Sequence, residues 1–475
     1  MSAGRRGPAA ERAVDLLALA RTAPVHFVGI NGAGMSALAE LVVRSGGAVT
    51  GCDRNPAAVS RTLREHGVVV HEGHAPGHVE DASAVVTTAA VPSDHSELVA
   101  ARQRGIPVVK RAAALGAVVN AGRVIAIAGT HGKSSTTAMC ASILAEAGAD
   151  PTGFVGGLVP EWGGGLRLGG DLYVVEADEF DRSFLTLRPG VALITTVEAD
   201  HLDIYGSEEA VFASFREFAS LLPPDGTLIV CSDDPGARSM IAGRDGVVAY
   251  GTDPAATLRA VGVELRGLGS RFRVVEHGET LGELHVGVPG LHNVRNALGA
   301  FAAARVFGAT VEHASAALSR FHGVARRFQE LGEARGVMIV DDYAHHPTEI
   351  EATLAAARAA YPQRRIIAVF QPHLYTRTRD FAAEFGRALS TADAVWVTEV
   401  YAAREAPLPG ITGELVARAA RAAGAGEVRF YPALDELPAA LAAELEPGDV
   451  CITLGAGDID RIARALLERR QGGVQ

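Results

Sequence analysis

IAIAGTHGKSSTTA, residues 125–138, reads as a buried strand, a glycine-containing turn, a lysine, a run of hydroxyls and the start of a helix. Backbone N–H groups in such a turn and at the helix N-terminus point inward, and the helix dipole reinforces the anion cradle they form. The spacing predicts a phosphate loop, with Lys133 reaching the β and γ phosphates of a nucleotide and the Ser134 hydroxyl on Mg²⁺. The loop is shortened, because Ile127 stands where the first glycine usually falls and Gly129 takes its part. Of 44 basic residues only Lys110 and Lys133 are lysine. Arginine's wide planar fork cannot replace a compact ammonium threaded into a tight backbone turn, which gives Lys133 a chemical reason.

A γ-phosphate at that loop needs a divalent metal, and hard Mg²⁺ takes oxygen ligands. Two strand ends supply candidates: VVEADEFD, with Glu176, Asp178, Glu179 and Asp181, and TTVEADHLD, with Glu198, Asp200, His201 and Asp203. Each follows an apolar strand of the same unit, so the carboxyl ends are expected to converge on the rim that carries the loop. Taken alone, such clusters read as well as solvated turns or helix caps; the neighbouring loop shifts the reading toward a metal.

Outward from this centre, apolar runs alternate with alanine-rich helical stretches over most of the 475 residues, the pattern of parallel α/β sheets. One core stops growing near roughly 250–300 residues, so two or three domains are expected. VHFVGI (25–30), AVTGCD (48–53), GVVVH, AVVTTAA and IPVVKR make a first doubly wound unit. VIAIAGT (124–130) opens a second, continued by YVVEAD, ALITTV and TLIVCS, with a β-rich excursion at about 255–290. VMIVDDY, RIIAVFQ, AVWVTEVY and VCITLGAG make a third, and the Gly- and Arg-rich GVARRFQELGEARG (323–336) marks the passage into it. Three consecutive α/β domains at 1–121, 122–331 and 332–475 are expected.

The net charge of −11 argues against a nucleic-acid-binding surface. Cys52, Cys140, Cys231 and Cys451 are scattered without metal-like spacing and read as buried thiols of a reducing compartment. No apolar stretch approaches the ~20 residues of a membrane span, and the start MSAGRRGPAAER lacks an apolar signal core. A cytoplasmic protein without membrane insertion is expected.

GINGAGMSALA (29–39) follows a strand and opens a helix, as a dinucleotide or nucleotide-diphosphate loop does. Asn31 stands at the second glycine of GxGxxG, where a side chain would obstruct a pyrophosphate, and Asp53 ends the next strand where a ribose-binding acid would lie. In the last third, DDYAHHPTEI (341–350) and FQPHLYTRTRDF (370–381) each follow a strand. Their His345, His346, Arg377 and Arg379 suit a substrate carboxylate, which arginine grips bidentately.

In this order the motifs resemble a Mur ligase over nearly the whole chain: VHFVGINGAGMSALA, GTHGKSST, VVEADEFDRSFL, VEADHLDIYG, GLHNVRNALGA, GVARRFQ, DDYAHHPTEI, FQPHLYTRTRDF, TEVYAAREAP and LGAGDI. The resemblance implies a Rossmann-like N-terminal domain for a UDP sugar, a central P-loop ATPase domain, and a Rossmann-like C-terminal domain that closes over ATP and the amino acid. The pair DDYAHHPTE and FQPHLYTRTR points within the family to ligation of L-alanine onto the lactyl carboxylate of UDP-N-acetylmuramate, a step of peptidoglycan synthesis.

Carried over by position, the resemblance implies ATP binding by Gly129, Thr130, His131, Gly132, Lys133, Ser134, Ser135, His292, Asn293, Asn296, Arg327 and Asp342. It implies Mg²⁺ on Ser134, Glu176 and His201, and UDP-sugar binding by Gly29, Asn31, Gly32, Ala33, Gly34, Met35, Ser36, Asp53 and His71. Tyr343, His345, His346, Arg377 and Arg379 are similar to residues that place the amino acid. Lys133, Glu176, His201, Arg377 and Arg379 form the implied catalytic set.

The implied chemistry passes through an acyl phosphate attacked by the amine of L-alanine, whose proton goes to His201 or a nearby carboxylate. Several family members carry a carbamylated lysine beyond the motif histidine. No lysine lies between His201 and Pro224, so a second metal would need other ligands. A tripeptide-recycling Mur ligase is the nearest alternative. An NAD-dependent oxidoreductase leaves the second loop unexplained, and a motor-like phosphate-loop protein would hydrolyse ATP without a UDP sugar. A monomer or weak dimer is expected.

Overall fold

The computed structural model describes residues 14–244 and 246–471, so the basic start of the chain lies outside them. Each of the three apolar blocks forms its own sheet.

The first sheet is ordered Val69–Glu72, Val49–Asp53, Val25–Val28, Ala84–Thr87, Val108–Lys110, with every neighbouring pair parallel. Val25–Val28 is buried at every position, as a central strand covered on both faces must be. Gly29, at φ +72°, then turns the chain into the helix Ala33–Arg44. The apolar side of that helix (Met35, Leu38, Leu41, Val42) belongs to a core that runs on through Phe154, Leu166, Val175 and Phe184 of the second unit. The first two units therefore share buried surface.

The second sheet has ten strands, and the strand Arg123–Ala128 that feeds the phosphate loop lies between Leu172–Glu176 and Val191–Ile194, parallel to both. Both acidic strand ends thus open beside the loop. Beyond Thr227–Cys231 and Val248–Gly251, the β-rich excursion (Leu258–Arg266, Gly269–Glu276, Glu279–Val286) continues this same sheet, joining Val248–Gly251 in parallel and pairing antiparallel within itself. At the other edge sits a hairpin of Thr152–Val159 and Gly164–Arg167, absent from the sequence reading because its glycines weaken the strand pattern.

The third sheet is ordered Gln329–Ala334, Val337–Asp342, Val450–Leu454, Ile366–Phe370, Ala394–Val397, Glu427–Phe430, and only its first pair is antiparallel. Gln329–Ala334 and Glu427–Phe430 are edge strands without continuous apolar runs, and the sequence reading did not foresee them. The expected division at 331/332 falls inside the first of these. The passage between sheets is the preceding 323–328, where Arg326 (φ +61°) and Phe328 (φ +45°) take left-handed backbone. Two apolar layers cover the third sheet, one on each face. Among the described residues no helix is long and apolar enough to cross a membrane.

Candidate active site

The phosphate loop is shaped by two glycines. Gly129 (φ +141°) and Gly132 (φ +80°) occupy backbone that side chains disfavour. A Cβ on Gly132 would come within 2.6 Å of Asn296 Oδ1, and one on Gly129 within 2.9 Å of Thr196 N. The helix Lys133–Glu146 begins immediately after, which puts Ser134 and Ser135 in its first turn. Lys133 Nζ donates to Gly129 O (2.7 Å), Thr130 O (3.2 Å) and Glu179 Oε1 (3.0 Å). Burial opposes its charge, but Glu179, Asp178 and Glu176 together hold its pKa above the ordinary lysine value. Burial also lifts the Glu179 carboxyl to about 7, against the pull of Lys133.

Ser134 Oγ donates to Glu176 Oε1 (2.9 Å), and Glu176 Oε2 accepts from Gly156 N (2.7 Å). His201, at φ +52°, has Nε2 3.7 Å from Glu179 Oε1 and 3.8 Å from Asp200 Oδ2. Its Nδ1 is buried without a hydrogen-bond partner. Burial draws its pKa down against the opposing Asp200, which favours a neutral ring. Ser134, Glu176 and Glu179 supply oxygen, and His201 one unassigned nitrogen, a donor set that fits a hard divalent cation beside the loop. Glu179, one of the acids quoted from the sequence but not singled out, is the one at Lys133 and His201. Asp178 and Asp181 instead face the first unit, 3.4 Å from Arg111 Nη2 and 2.7 Å from Lys110 Nζ. The side chain of Asp203 lies outside the described residues.

Between the loop and the third sheet opens a cleft of about 1040 Å³, walled by Tyr250, Val288 and Phe321 and lined by His131, Gly132, Ser134 and Ser135. His292, Asn293 and Asn296 enter it from the helix Leu291–Arg305, and Arg327 and Asp342 from the side of the third sheet. Asn293 Nδ2 donates to Pro289 O (2.8 Å), and Asn296 Nδ2 to Asn293 Oδ1 (3.2 Å). Burial, then Arg327, lowers the His292 pKa to about 4. Asp342 has a structural task as well: it accepts from Phe328 N (2.8 Å), Ala344 N (2.8 Å) and Thr353 Oγ1 (3.1 Å), fixing the passage to the third sheet. Burial raises its pKa to about 6 although Arg327 opposes.

The third sheet meets the second across polar contacts. Glu349 accepts from His345 N (3.0 Å) and from Arg327 Nη1 (3.1 Å), and lies 3.3 Å from His131 Nδ1. The opposite nitrogen of His131 lies 3.4 Å from Glu198 Oε2, which accepts from Thr348 Oγ1 (2.8 Å) and has His346 Nδ1 at 3.6 Å. Burial works against a charge on His131, yet Glu349 and Glu198 outweigh it and hold the ring at about 9. Burial, then His131, lowers His346 to about 4. The sequence reading missed Glu349; its signal was the capping box His346-Pro-Thr-Glu349 that opens the helix Pro347–Ala360.

Arg377 donates to Asp200 across the same seam, in a recess of about 770 Å³ that also holds His201. Arg379 stands at the rim, half-exposed and paired with Asp380 (2.7 Å). Arg377 and Arg379 lie two positions apart on the helix Tyr375–Asp380, and both line this recess. Tyr343 lies beneath Arg327 (5.3 Å) and Arg326 (5.1 Å), and His345 Nδ1 is 2.9 Å from Tyr343 O.

In the first unit, Asp53 shapes the glycine loop from behind: it accepts from Asn31 N (3.1 Å) and Asn55 N (3.1 Å). Asn31 does not adopt positive φ, and its Nδ2 donates to Asn55 O (2.6 Å), so a side chain is accommodated there. Gly32, Ala33, Gly34 and Met35 line a groove of about 700 Å³ whose far wall is Phe154, Gly156, Glu176 and Asp178. Ser36 donates its N–H to Gly32 O (2.8 Å) in the first helical turn. His71 is not part of that groove and stacks on His78 (4.3 Å).

Three family models match in succession: the Mur ligase family catalytic domain over residues 24–123, the Mur ligase middle domain over 127–304, and the Mur ligase glutamate ligase domain over 326–457. The UDP-N-acetylmuramate–L-alanine ligase of Salinibacter ruber is 44% identical over 95% of this chain and 96% of its own. That of Acidothermus cellulolyticus is 46% identical over 93% of each chain. Among solved structures, the UDP-N-acetylmuramate-alanine ligase of Thermotoga maritima has a TM-score of 0.81 at 30% identity, covering 95% of this chain and 99% of its own. The murein peptide ligase of Psychrobacter arcticus has a TM-score of 0.70 at 26% identity over the same shares. With three sheets in succession, a phosphate loop at the centre and relatives matched almost end to end, the chain belongs to the Mur ligase family.

Proposed function

We propose that this chain joins L-alanine to the lactyl carboxylate of UDP-N-acetylmuramate with hydrolysis of ATP to ADP and phosphate, a step of peptidoglycan precursor synthesis in the cytoplasm. One observation carries the reading. Ser134 lines the loop cleft, Glu176 lines the groove of the first unit, and the two are hydrogen-bonded at 2.9 Å. A nucleotide in the cleft and a UDP sugar in the groove therefore meet end to end at this pair. The names of the relatives, which share 44–46% of their residues with this chain, support L-alanine over a tripeptide as acceptor.

A carboxylate is a poor electrophile, so activation must precede amide formation. Lys133 and the loop N–H groups hold the phosphates of ATP and orient the terminal one toward the groove, a positioning and electrostatic task. Ser134, Glu176 and His201 would hold Mg²⁺, which when bound neutralises charge on the phosphoryl oxygens. Asn293 and Asn296 with His292 frame the base, Arg327 faces the phosphates and Asp342 the ribose. Arg377, oriented by Asp200, faces the amino-acid carboxylate, with Tyr343, His345 and His346 around it. The amine attacks the acyl phosphate, and phosphate leaves from the tetrahedral adduct. Glu179, near 7, is the group beside Lys133 able to accept the amine proton.

The acyl phosphate is tested by isotope transfer. With the lactyl carboxylate labelled in heavy oxygen, one labelled atom is expected in the phosphate released. Unlabelled phosphate alongside normal ligation would refute the route.

A further inference from the structure

Four side chains scattered between residues 26 and 95 converge on one carboxylate oxygen of Glu97 in the first unit. Around Glu97 Oε2 lie Cys52 Sγ at 3.1 Å, His74 Nδ1 at 3.7 Å, His95 Nδ1 at 3.9 Å and His26 Nε2 at 4.0 Å. Cys52 Sγ and His74 Nδ1 are themselves 3.2 Å apart. Ligand atoms held at the bond lengths of a tetrahedral zinc ion are roughly 3.3–3.8 Å from one another, and those of His26, Cys52 and Glu97 all lie within 4.8 Å of one another, close to the size the ion requires.

Hydrogen bonding alone does not account for the cluster. His26 Nε2 and His95 Nδ1 are buried without a hydrogen-bond partner, although both are aimed at this carboxylate. His26, Cys52 and Glu97 have no exposed surface at all. An outer layer fixes the orientations, as in metal centres. Thr50 Oγ1 lies 3.0 Å from His26 Nδ1 and so directs Nε2 inward. His78 Nδ1 (2.7 Å) and Ala75 N (3.2 Å) hold the other oxygen of Glu97. His74 and His95 are partly exposed and give access from solvent.

We propose that this cluster is a zinc site, in which the Cys52 thiolate, the Glu97 carboxylate and the His26 imidazole, whose ligand atoms all lie within 4.8 Å of one another, supply three ligands and His74, 3.2 Å from Cys52 Sγ, the fourth. Thiolate, imidazole and carboxylate together suit Zn²⁺ rather than Mg²⁺, which takes oxygen. On binding, the Cys52 S–H proton is released to solvent and the sulfur takes the metal instead. The ion ties together the strands Val25–Val28 and Val49–Asp53, the turn after Val69–Glu72 and the first turn of Ser96–Gln103. It lies next to Asp53, which shapes the glycine loop, and it is separate from the Mg²⁺ ligands at Ser134 and Glu176.

The test uses the chelator-stripped full chain without nucleotide or Mg²⁺, titrated with Zn²⁺ against a chromophoric chelator and separately with Co²⁺ followed by absorption. Sub-micromolar zinc and a thiolate-to-cobalt charge-transfer band are expected. The band should vanish in Cys52→Ser, and zinc affinity should fall about 10-fold or more in Cys52→Ser, His26→Gln and the more exposed His74→Gln. Circular dichroism confirms that each variant is folded. His131, Glu198 and His346 form another possible metal-binding group, but it contains no sulfur, so it cannot produce the band. Absence of the band, or zinc affinity in the folded variants equal to that of the unaltered chain, would overturn the proposal.

Discussion

Arg377 and Asp200, 177 residues apart in sequence, form an ion pair across the seam between the second and third sheets, with side chains only 5% and 8% exposed. Burial disfavours the Asp200 carboxylate, but the guanidinium outweighs it and holds the pKa far below the carboxylate range. Removing one partner leaves the other buried and unpaired. Arg377→Ala is therefore expected to cost about 3–5 kcal/mol, measured by denaturant unfolding, and to loosen the third domain in small-angle scattering. Asp200→Asn should cost less, because the amide oxygen still accepts.

His131 gives the seam a pH dependence. Its folded pKa of about 9 lies above the unfolded value of 6.5, so the stabilisation is complete below about pH 6.5 and is lost as pH rises through about 9. The effect is of order 3 kcal/mol at most. Melting curves from neutral to alkaline pH should show the unaltered chain losing stability while His131→Gln stays flat over that window.

Lys133→Ala should lower substrate-dependent ADP formation by about a thousandfold or more, since the ammonium is the positive charge threaded into the loop. Lys133→Arg should rescue little, because the planar fork does not fit between Gly129 O and Thr130 O. The fold should survive. Burial already raises Glu179 to about 7, so it can take up a proton once the ammonium is gone.

Asn31→Gly restores the glycine of the usual fingerprint, yet it should not help. Backbone φ there is not positive, and the bond from Nδ2 to Asn55 O is lost. A destabilisation of about 1 kcal/mol is expected from thermal melts, with the KM for the UDP sugar barely moved. A large fall in KM would show that the Asn31 side chain obstructs the groove.

The phosphate loop was legible because strand, turn, lysine and hydroxyls are contiguous, and local geometry follows from local order. Partner choice was not. Four acids stand between 176 and 181, and only the packed chain shows that Glu179 takes Lys133 while Asp178 and Asp181 turn toward Arg111 and Lys110. The Asp200 pairing joins segments too far apart for spacing to reveal. The Cys52 cluster was hidden because its members come from two strands, a turn and the start of a helix, so no metal-like spacing in sequence could announce it.

The most direct test measures ADP formation with ATP and Mg²⁺, with and without UDP-N-acetylmuramate, across a panel of amino acids and the murein tripeptide. ADP is expected only when the UDP sugar and an amino acid are both present, with L-alanine the preferred acceptor. ADP formed at the same rate without the UDP sugar, or a preference for the tripeptide, would contradict the assignment.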